Sequence, residues 1–474
     1  MKFHETGDDV MAKAQNGEGK KGDLRWWQLS LLGVASTIGT GYFLGSGIGI
    51  RMAGPSILIA FLLAAVGTYT VFEVLARMTA DRPEQGSFRS YAKRAFGRWA
   101  GFGSGWVYWS SELLIMGSQL TALSLFSRFW FPGMPMWIFA IGYAVLGLGV
   151  ILLGNKVFDS MENVLSVIKI AAIFMFLVVA GAALMGWIPG GGGKTPEFPH
   201  TAKTFFPAGG MGLWSGFIFA FYAFGGIEVM GMMAIRLRDP KEAPKSGTIM
   251  LLLLSAVYLL SVGLAVTMVA WNAVDPKRSP FVTALGKYPL PFIPHVFNGV
   301  LIVAGFSTMV ASLYAVTTML VTLAKDKDAP PLFARKGWRE RPLFAIGLTA
   351  AGLAASVVLS FVMPGRIYEY ITTSAGLLLL YNWFFILVTS GKLLKLSAFG
   401  QVKRWGGMAL IALAVTGTLF HDTSRPGFWG SLAFVGVIGI VTLIMQFAVW
   451  KPGKQVKRRG RPAKSLVLRP KRTT

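Results

Sequence analysis

Ile38-Gly39-Thr40-Gly41-Tyr42-Phe43-Leu44-Gly45-Ser46-Gly47 and, later in the chain, Phe221-Tyr222-Ala223-Phe224-Gly225-Gly226-Ile227-Glu228 interrupt two apolar stretches, each long enough to cross a bilayer. Glycine inside a helix costs roughly 1 kcal/mol relative to alanine, so clustering it there implies that the helix is meant to unwind. Within hydrocarbon, freed backbone N–H and C=O groups are tolerated only inside protein or along a wet cavity. Two such breaks at corresponding places in two halves point to the substrate site of a transporter.

The rest of the chain supplies the membrane setting. Of its 474 residues, 54% are hydrophobic and only 14% charged, against about 25% charged in a soluble domain. The mean hydropathy is +0.56. Apolar runs near 27–50, 56–78, 99–128, 136–155, 161–187, 210–235, 246–272, 294–323, 344–363, 367–389, 403–421 and 427–450 give twelve expected spans. Each can cross roughly 30 Å of hydrocarbon as a helix, and the runs are too long and too uniformly apolar for barrel strands.

The net charge of +25 invites a nucleic-acid reading, but the placement of the charges excludes it. Taking the loops alternately, one side of the membrane holds 36 Lys and Arg and the other nine, with Lys169 inside a span. That bias puts both termini in the cytoplasm of a multi-pass cell-membrane protein. There are no cysteines, and the four histidines (His4, His200, His295, His421) show no metal spacing. No Ser/His/Asp set lies in the spans, which argues against an enzyme. No cofactor is expected. The first 25 residues lack the apolar core of a signal peptide, so the first span is expected to direct insertion. The tail 451–474 carries ten basic residues; it is a solvated topology anchor or an attachment to anionic membrane lipid.

Five further-reaching similarities follow from the motifs in series. They are Ile38 through Gly47 with Ala53-Gly54-Pro55; Pro83-Glu84-Gln85-Gly86-Ser87-Phe88 through Tyr91; and Trp99-Ala100-Gly101-Phe102 through Gly105-Trp106-Val107-Tyr108-Trp109. The others are Phe221 through Glu228 with Asp239-Pro240, and Leu313-Tyr314-Ala315 through Asp328-Ala329-Pro330. In this order they resemble the amino acid permease branch of the amino acid–polyamine–organocation superfamily. The resemblance implies an all-α membrane fold of twelve helices like that of the bacterial leucine transporter: a 5+5 inverted repeat plus two helices. The boundaries would be a tail to 25, repeat one about 26–190, repeat two about 208–390, extra helices about 402–450 and the basic tail.

Within that frame the first break is expected to bind a substrate carboxylate. Unwinding after Ile38 frees the N–H groups of Thr40, Gly41 and neighbours at a positive helix end, and Gly39 and Gly41 admit a ligand to the backbone. A small-residue packing face is the alternative. At the second break, carbonyls of Phe221, Tyr222 and Phe224 near Gly225-Gly226 would accept from an ammonium group. The resemblance makes Tyr222 or Phe224 an aromatic lid; ordinary packing is the alternative. Met116, Gln119, Met309 and Thr373 are guesses for residues that select the R group, and an apolar pocket suits a neutral amino acid.

Intramembrane ionisable residues are functional hypotheses by default. In proton-coupled relatives a lysine at the place of Lys169 takes the position of a sodium ion, which makes Lys169 a proton-coupling residue here; snorkelling to the surface is the alternative. Glu228 either relays protons or holds its span. Glu112 departs from the family pattern, and either lines the pocket or pairs with Lys169. Gln119, Arg236, Arg238 and Val310-Ala311-Ser312 depart as well. Glu73 and Arg77 are expected as a structural pair, and Glu162 is given a structural role. The expected function is a secondary-active, proton-coupled amino acid permease, a symporter, with amino acid and protons as partners. An exchanger or polyamine carrier on the same fold, or an amino acid sensor that does not transport, are the rivals.

Overall fold

The computed structural model describes residues 24–84, 86–188, 199–337, 340–362 and 367–450. The glycine run 190–193, the N-terminal tail before Leu24 and the basic tail 451–474 lie outside the described residues. Among these, regular structure is helical apart from one bridge pairing Leu24 with Leu237. In chain order the main helices are α1 (Trp26–Thr37), α2 (Ser46–Ala53), α3 (Ile57–Asp81), α4 (Phe88–Phe96), α5 (Arg98–Ser127), α6 (Met136–Leu153), α7 (Asn155–Leu184) and α8 (Gly209–Tyr222). They continue with α9 (Ile227–Met233), α10 (Ala243–Met268), α11 (Ile293–Lys325), α12 (Leu343–Val362), α13 (Ile367–Leu393), α14 (Ala398–Gly417) and α15 (Arg425–Ile444).

Among the described residues eight helical stretches are long and apolar enough to cross a membrane: Gly41–Asp81, Met136–Leu153, Ser160–Leu184, Ala202–Gly231, Pro240–Met268, Ile293–Lys325, Ile367–Leu393 and Arg425–Val449. The chain is a multi-pass membrane protein. The remaining expected runs are helices that fall short on length or apolarity. The most informative is α5, which carries Ser104, Ser110, Ser111, Glu112, Ser118 and Gln119, all buried. It packs against α11 and α13, so its polar groups face protein rather than lipid, where they would be costly. At the other extreme, α15 exposes Trp429, Leu432, Val437, Ile440 and Leu443, as a helix does whose neighbour is lipid.

The amphipathic stretch after α3 forms α4, whose buried face docks through Phe88, Arg89 and Tyr91. Arg89 reaches Asp326 (2.6 Å) and Asp328 at the end of α11, and Arg98 adds a bond to Asp328 (2.9 Å). At the opposite end of the bundle the short helix Pro280–Leu285 is buried. Its Phe281 packs with Tyr42, Phe43, Phe176 and Phe297, filling that end with aromatic rings beside α2.

Candidate functional site

The first break is short. Helix α1 ends at Thr37, and Ile38 is extended (φ −71°, ψ 106°). Thr40 is already right-handed, and Tyr42 and Phe43 both donate to the Gly39 carbonyl, at 3.1 and 3.0 Å. Unwinding is confined to Ile38-Gly39. A wide-turn segment, Gly41–Gly45, then leads into α2. The N–H groups of Thr40 and Gly41 precede the first bond of this second segment, so they stand free at its positive end. The Thr40 carbonyl is not free, because the Tyr368 hydroxyl on α13 donates to it at 3.1 Å.

At the second break α8 ends at Tyr222, and Gly226 takes the left-handed region (φ 108°) before α9 begins. This is the conformation for which glycine is needed. Two of the three carbonyls expected to be free are engaged. Phe224 N–H donates to Phe221 O and Gly225 N–H to Tyr222 O, each at 3.0 Å, because the chain tightens into turns instead of opening. The Tyr258 hydroxyl takes the Ala223 carbonyl at 2.9 Å. The Phe224 carbonyl receives no backbone N–H.

The two breaks meet. A Cβ on Gly41 would lie 2.8 Å from the Tyr222 ring, and one on Gly226 3.6 Å from Thr37 Cα. Tyr222 therefore lies directly over the first break, held by a 2.7 Å hydrogen bond between its hydroxyl and that of Ser118 on α5. Phe224 goes elsewhere, into the cluster with Phe61 and Tyr258. Phe221 packs on Gly67 and Phe217. Of the two aromatics expected as a lid, only Tyr222 is placed for it.

Lys169 is fully buried. Its Nζ donates to the Ala35 carbonyl at the end of α1 (2.8 Å) and to Glu162 Oε1 (3.3 Å). Glu162 Oε2 accepts from Ser307 on α11 at 2.5 Å. One lysine thus ties α1, α7 and α11 together at the first break, and it does not snorkel. Glu162 is its ion partner, so the alternative of a Glu112–Lys169 pair is not realised. Glu112 lies instead beside Glu228, Tyr108 and Ser312. Glu228 accepts from Trp383 Nε1–H at 3.2 Å, and its Oε1 is buried without a partner. Glu73 and Arg77 pair as expected (2.5 Å), and Lys403 shares the carboxylate.

The guessed selectivity residues fare unevenly. Gln119 stays two helical turns from Glu112 on α5, nearly buried, with an unpartnered Oε1. Met116 and Met309 are turned away, into an apolar cluster with Ala140, Ala144 and Leu313, and Met309 sits on Gly147 of α6. Thr373 packs on Gly427 of α15. In their place the structure brings up Thr308, against Gly39, and Gly305, against Thr40. Ile115 packs with Tyr222. Their signal in the sequence was a row of small and polar residues, Gly305, Thr308 and Ser312, spaced three and four apart along an apolar span.

Backbone donors, a free carbonyl and an aromatic ring thus converge within a few residues. Such a place can hold a ligand with an anionic and a cationic end. Among the described residues no group of His, Asp or Glu could hold a metal ion.

Comparison with known proteins agrees on the class. The amino acid permease family model matches residues 28–463. An uncharacterized transporter, YcgH, of Bacillus subtilis is 55% identical over 90% of this chain and 95% of its own length. The aromatic amino acid transport protein AroP of Corynebacterium glutamicum is 31% identical over 81% of this chain and 84% of its own. The L-asparagine permease of Escherichia coli is 31% identical over 90% and 88%.

Proposed function

The chain belongs to the amino acid permease family, and from that premise we propose a proton-coupled importer of a neutral amino acid that works by alternating access. It transports an amino acid and is not an enzyme; the direction, the coupling ion and the substrate are our reading. The α-carboxylate binds the N–H groups of Thr40 and Gly41, with Ile38 extended and the chain bending at Gly39 to admit it. The amino group binds the Phe224 carbonyl beside Gly225, with the second lone pairs of the Phe221 and Tyr222 carbonyls within the same turn. Tyr222 covers the bound zwitterion, and Gln119 and Ile115 face its side chain.

One observation carries this reading: the ring of Tyr222 sits against Gly41, so the two interrupted helices share one locus. A neutral substrate is supported by the aromatic amino acids and asparagine named for the relatives. In the cell membrane the helices are arranged as a 5+5 inverted repeat, about 26–190 and 208–390, followed by two extra helices, with both termini cytoplasmic. The lysine and arginine bias of the loops supports that orientation. Lys169, Glu228 and Glu112 are the groups proposed to couple uptake to protons. Each proton entering an inside-negative cell adds about 2.3 kcal/mol per 100 mV.

The test is uptake by proteoliposomes of each of the twenty labelled amino acids, with and without an imposed pH gradient. Gradient-stimulated uptake of a neutral amino acid is expected. Exchange without net uptake, or transport of diamines alone, would overturn the reading.

A further inference from the structure

Three buried oxygens around the breaks have no hydrogen-bond partner among the described residues: Thr40 Oγ1, Gln119 Oε1 and Thr372 Oγ1. Thr40 and Thr372 are fully buried, and Gln119 is 7% exposed. A buried polar group left unmet costs free energy, so each marks a demand that a ligand can meet. The three belong to different elements, and their neighbours aim them at one place. Gln119 on α5 stands one turn after Ile115 and one turn before Leu123. Ile115 packs with Tyr222. Leu123 packs on Gly305 of α11, where an added Cβ would also meet the Thr40 methyl group at 3.0 Å. Residues one turn apart share a helix face, so Gln119 faces the seam between the Tyr222 lid and the first break.

Thr372 on α13 is bracketed in the same way. One turn before it, the Tyr368 hydroxyl donates to the Thr40 carbonyl at 3.1 Å. One turn after it, a Cβ on Gly376 would lie 3.3 Å from the Tyr222 ring. Tyr368 lies beside both threonines, but its one proton is committed to that carbonyl. Other polar side chains nearby are engaged: Ser118 with Tyr222 at 2.7 Å, and Thr308 with carbonyls of its own helix. Thr373, the next residue, turns away to Gly427 of α15.

We infer that Gln119, Thr40 and Thr372 read the side chain of the substrate, and that the amino acid carried ends in a hydroxyl or a carboxamide: serine, threonine, asparagine or glutamine. Both groups donate and accept, which suits two hydroxyls and an amide in either orientation of that amide. An aliphatic side chain of the same shape would bury all three oxygens unmet. A site built to hydrogen-bond a substrate rejects the analogue lacking that group far better than an apolar pocket rejects one methylene. The inference narrows the neutral amino acid proposed above, and it rests on that reading for the place of the substrate backbone.

The test is equilibrium binding to the purified full-length chain, by titration calorimetry, with pairs of like shape: threonine against valine, and asparagine against leucine. Threonine and asparagine should each bind tighter by about tenfold or more, the fold-change of one buried polar group left unmet. Gln119→Leu should bring asparagine and leucine within about threefold of each other, and Thr372→Val should do the same for threonine and valine. Valine and leucine bound as tightly as their partners by the wild type would overturn the inference and leave the transporter. So would preferences unmoved in both variants. The wild-type ratios alone decide the matter should the variants fail to fold. Binding of none of the twenty amino acids would overturn the transport reading itself, and this inference with it.

Discussion

The Nζ of Lys169 stands 2.8 Å from the carbonyl oxygen of Ala35, so a charge on α7 closes the end of α1 just before that helix unwinds. The same ammonium faces Glu162, seven residues earlier on its own helix. Removing one partner of a buried ion pair leaves an uncompensated charge and costs about 3–5 kcal/mol. Lys169→Met should therefore lower thermal stability in detergent by that order. The double variant Lys169→Met with Glu162→Gln should recover most of it, because no charge is then stranded. Equal losses in the single and the double variant would show that the pair is not the source.

Tyr222 and Gly41 give a steric test. An added Cβ at Gly41 meets the ring at 2.8 Å, closer than real Cβ contacts, so Gly41→Ala must displace the lid. The variant should fold, but its KM for uptake should rise at least tenfold. Tyr222→Phe removes only the bond to Ser118, worth about 1 kcal/mol, and should change KM about fivefold or less. A KM unmoved by Gly41→Ala would separate Tyr222 from the site.

Much of this was legible in the sequence, and the exceptions share a cause. The breaks were readable because glycine clusters are expensive in a helix, and the Glu73–Arg77 pair because it lies one turn apart. The partner of Lys169 was missed because seven residues along one helix looks remote until two turns are stacked. Met116 and Met309 are buried in a separate interior cluster, because an apolar span does not say which of its protein-facing sides looks onto the breaks. The Phe221 and Tyr222 carbonyls were expected to be open because a glycine break predicts unwinding, whereas the chain formed turns that reuse them.

Gly226 isolates a pure backbone effect. Its φ of 108° is left-handed, yet a Cβ there would meet nothing closer than 3.6 Å. Gly226→Ala should cost about 1–2 kcal/mol of stability from conformation alone, with Gly226→Asn less severe. Thermal unfolding in detergent checks it, and an unchanged midpoint for Gly226→Ala would contradict it.

Arg89 is a second buried charge with a defined fork. It bonds Asp326 and Asp328 through separate nitrogens. Arg89→Ala should leave the buried Asp328 with Arg98 as its remaining cation and lower stability, by less than the roughly 3–5 kcal/mol of a fully stranded buried charge. Arg89→Lys should rescue little, since one ammonium cannot reproduce the fork. Full rescue by lysine would mean that charge alone matters.

The proposed orientation can be read by labelling, because the chain has no cysteine of its own. Lys277 and Lys395 are both exposed and fall on opposite sides in the proposed topology. In intact cells a membrane-impermeant maleimide should label Lys277→Cys and spare Lys395→Cys until the cells are opened. The reverse pattern would invert the chain.

The most direct measurement of the central claim is the position of a bound amino acid, determined by cryo-electron microscopy with the best substrate of the uptake panel. The account predicts the carboxylate within hydrogen-bonding distance of the Thr40 and Gly41 N–H groups, the amino group at the Phe224 carbonyl and the Tyr222 ring over both. An amino acid bound away from these two turns, with Gly41 and Tyr222 still in contact, would contradict it.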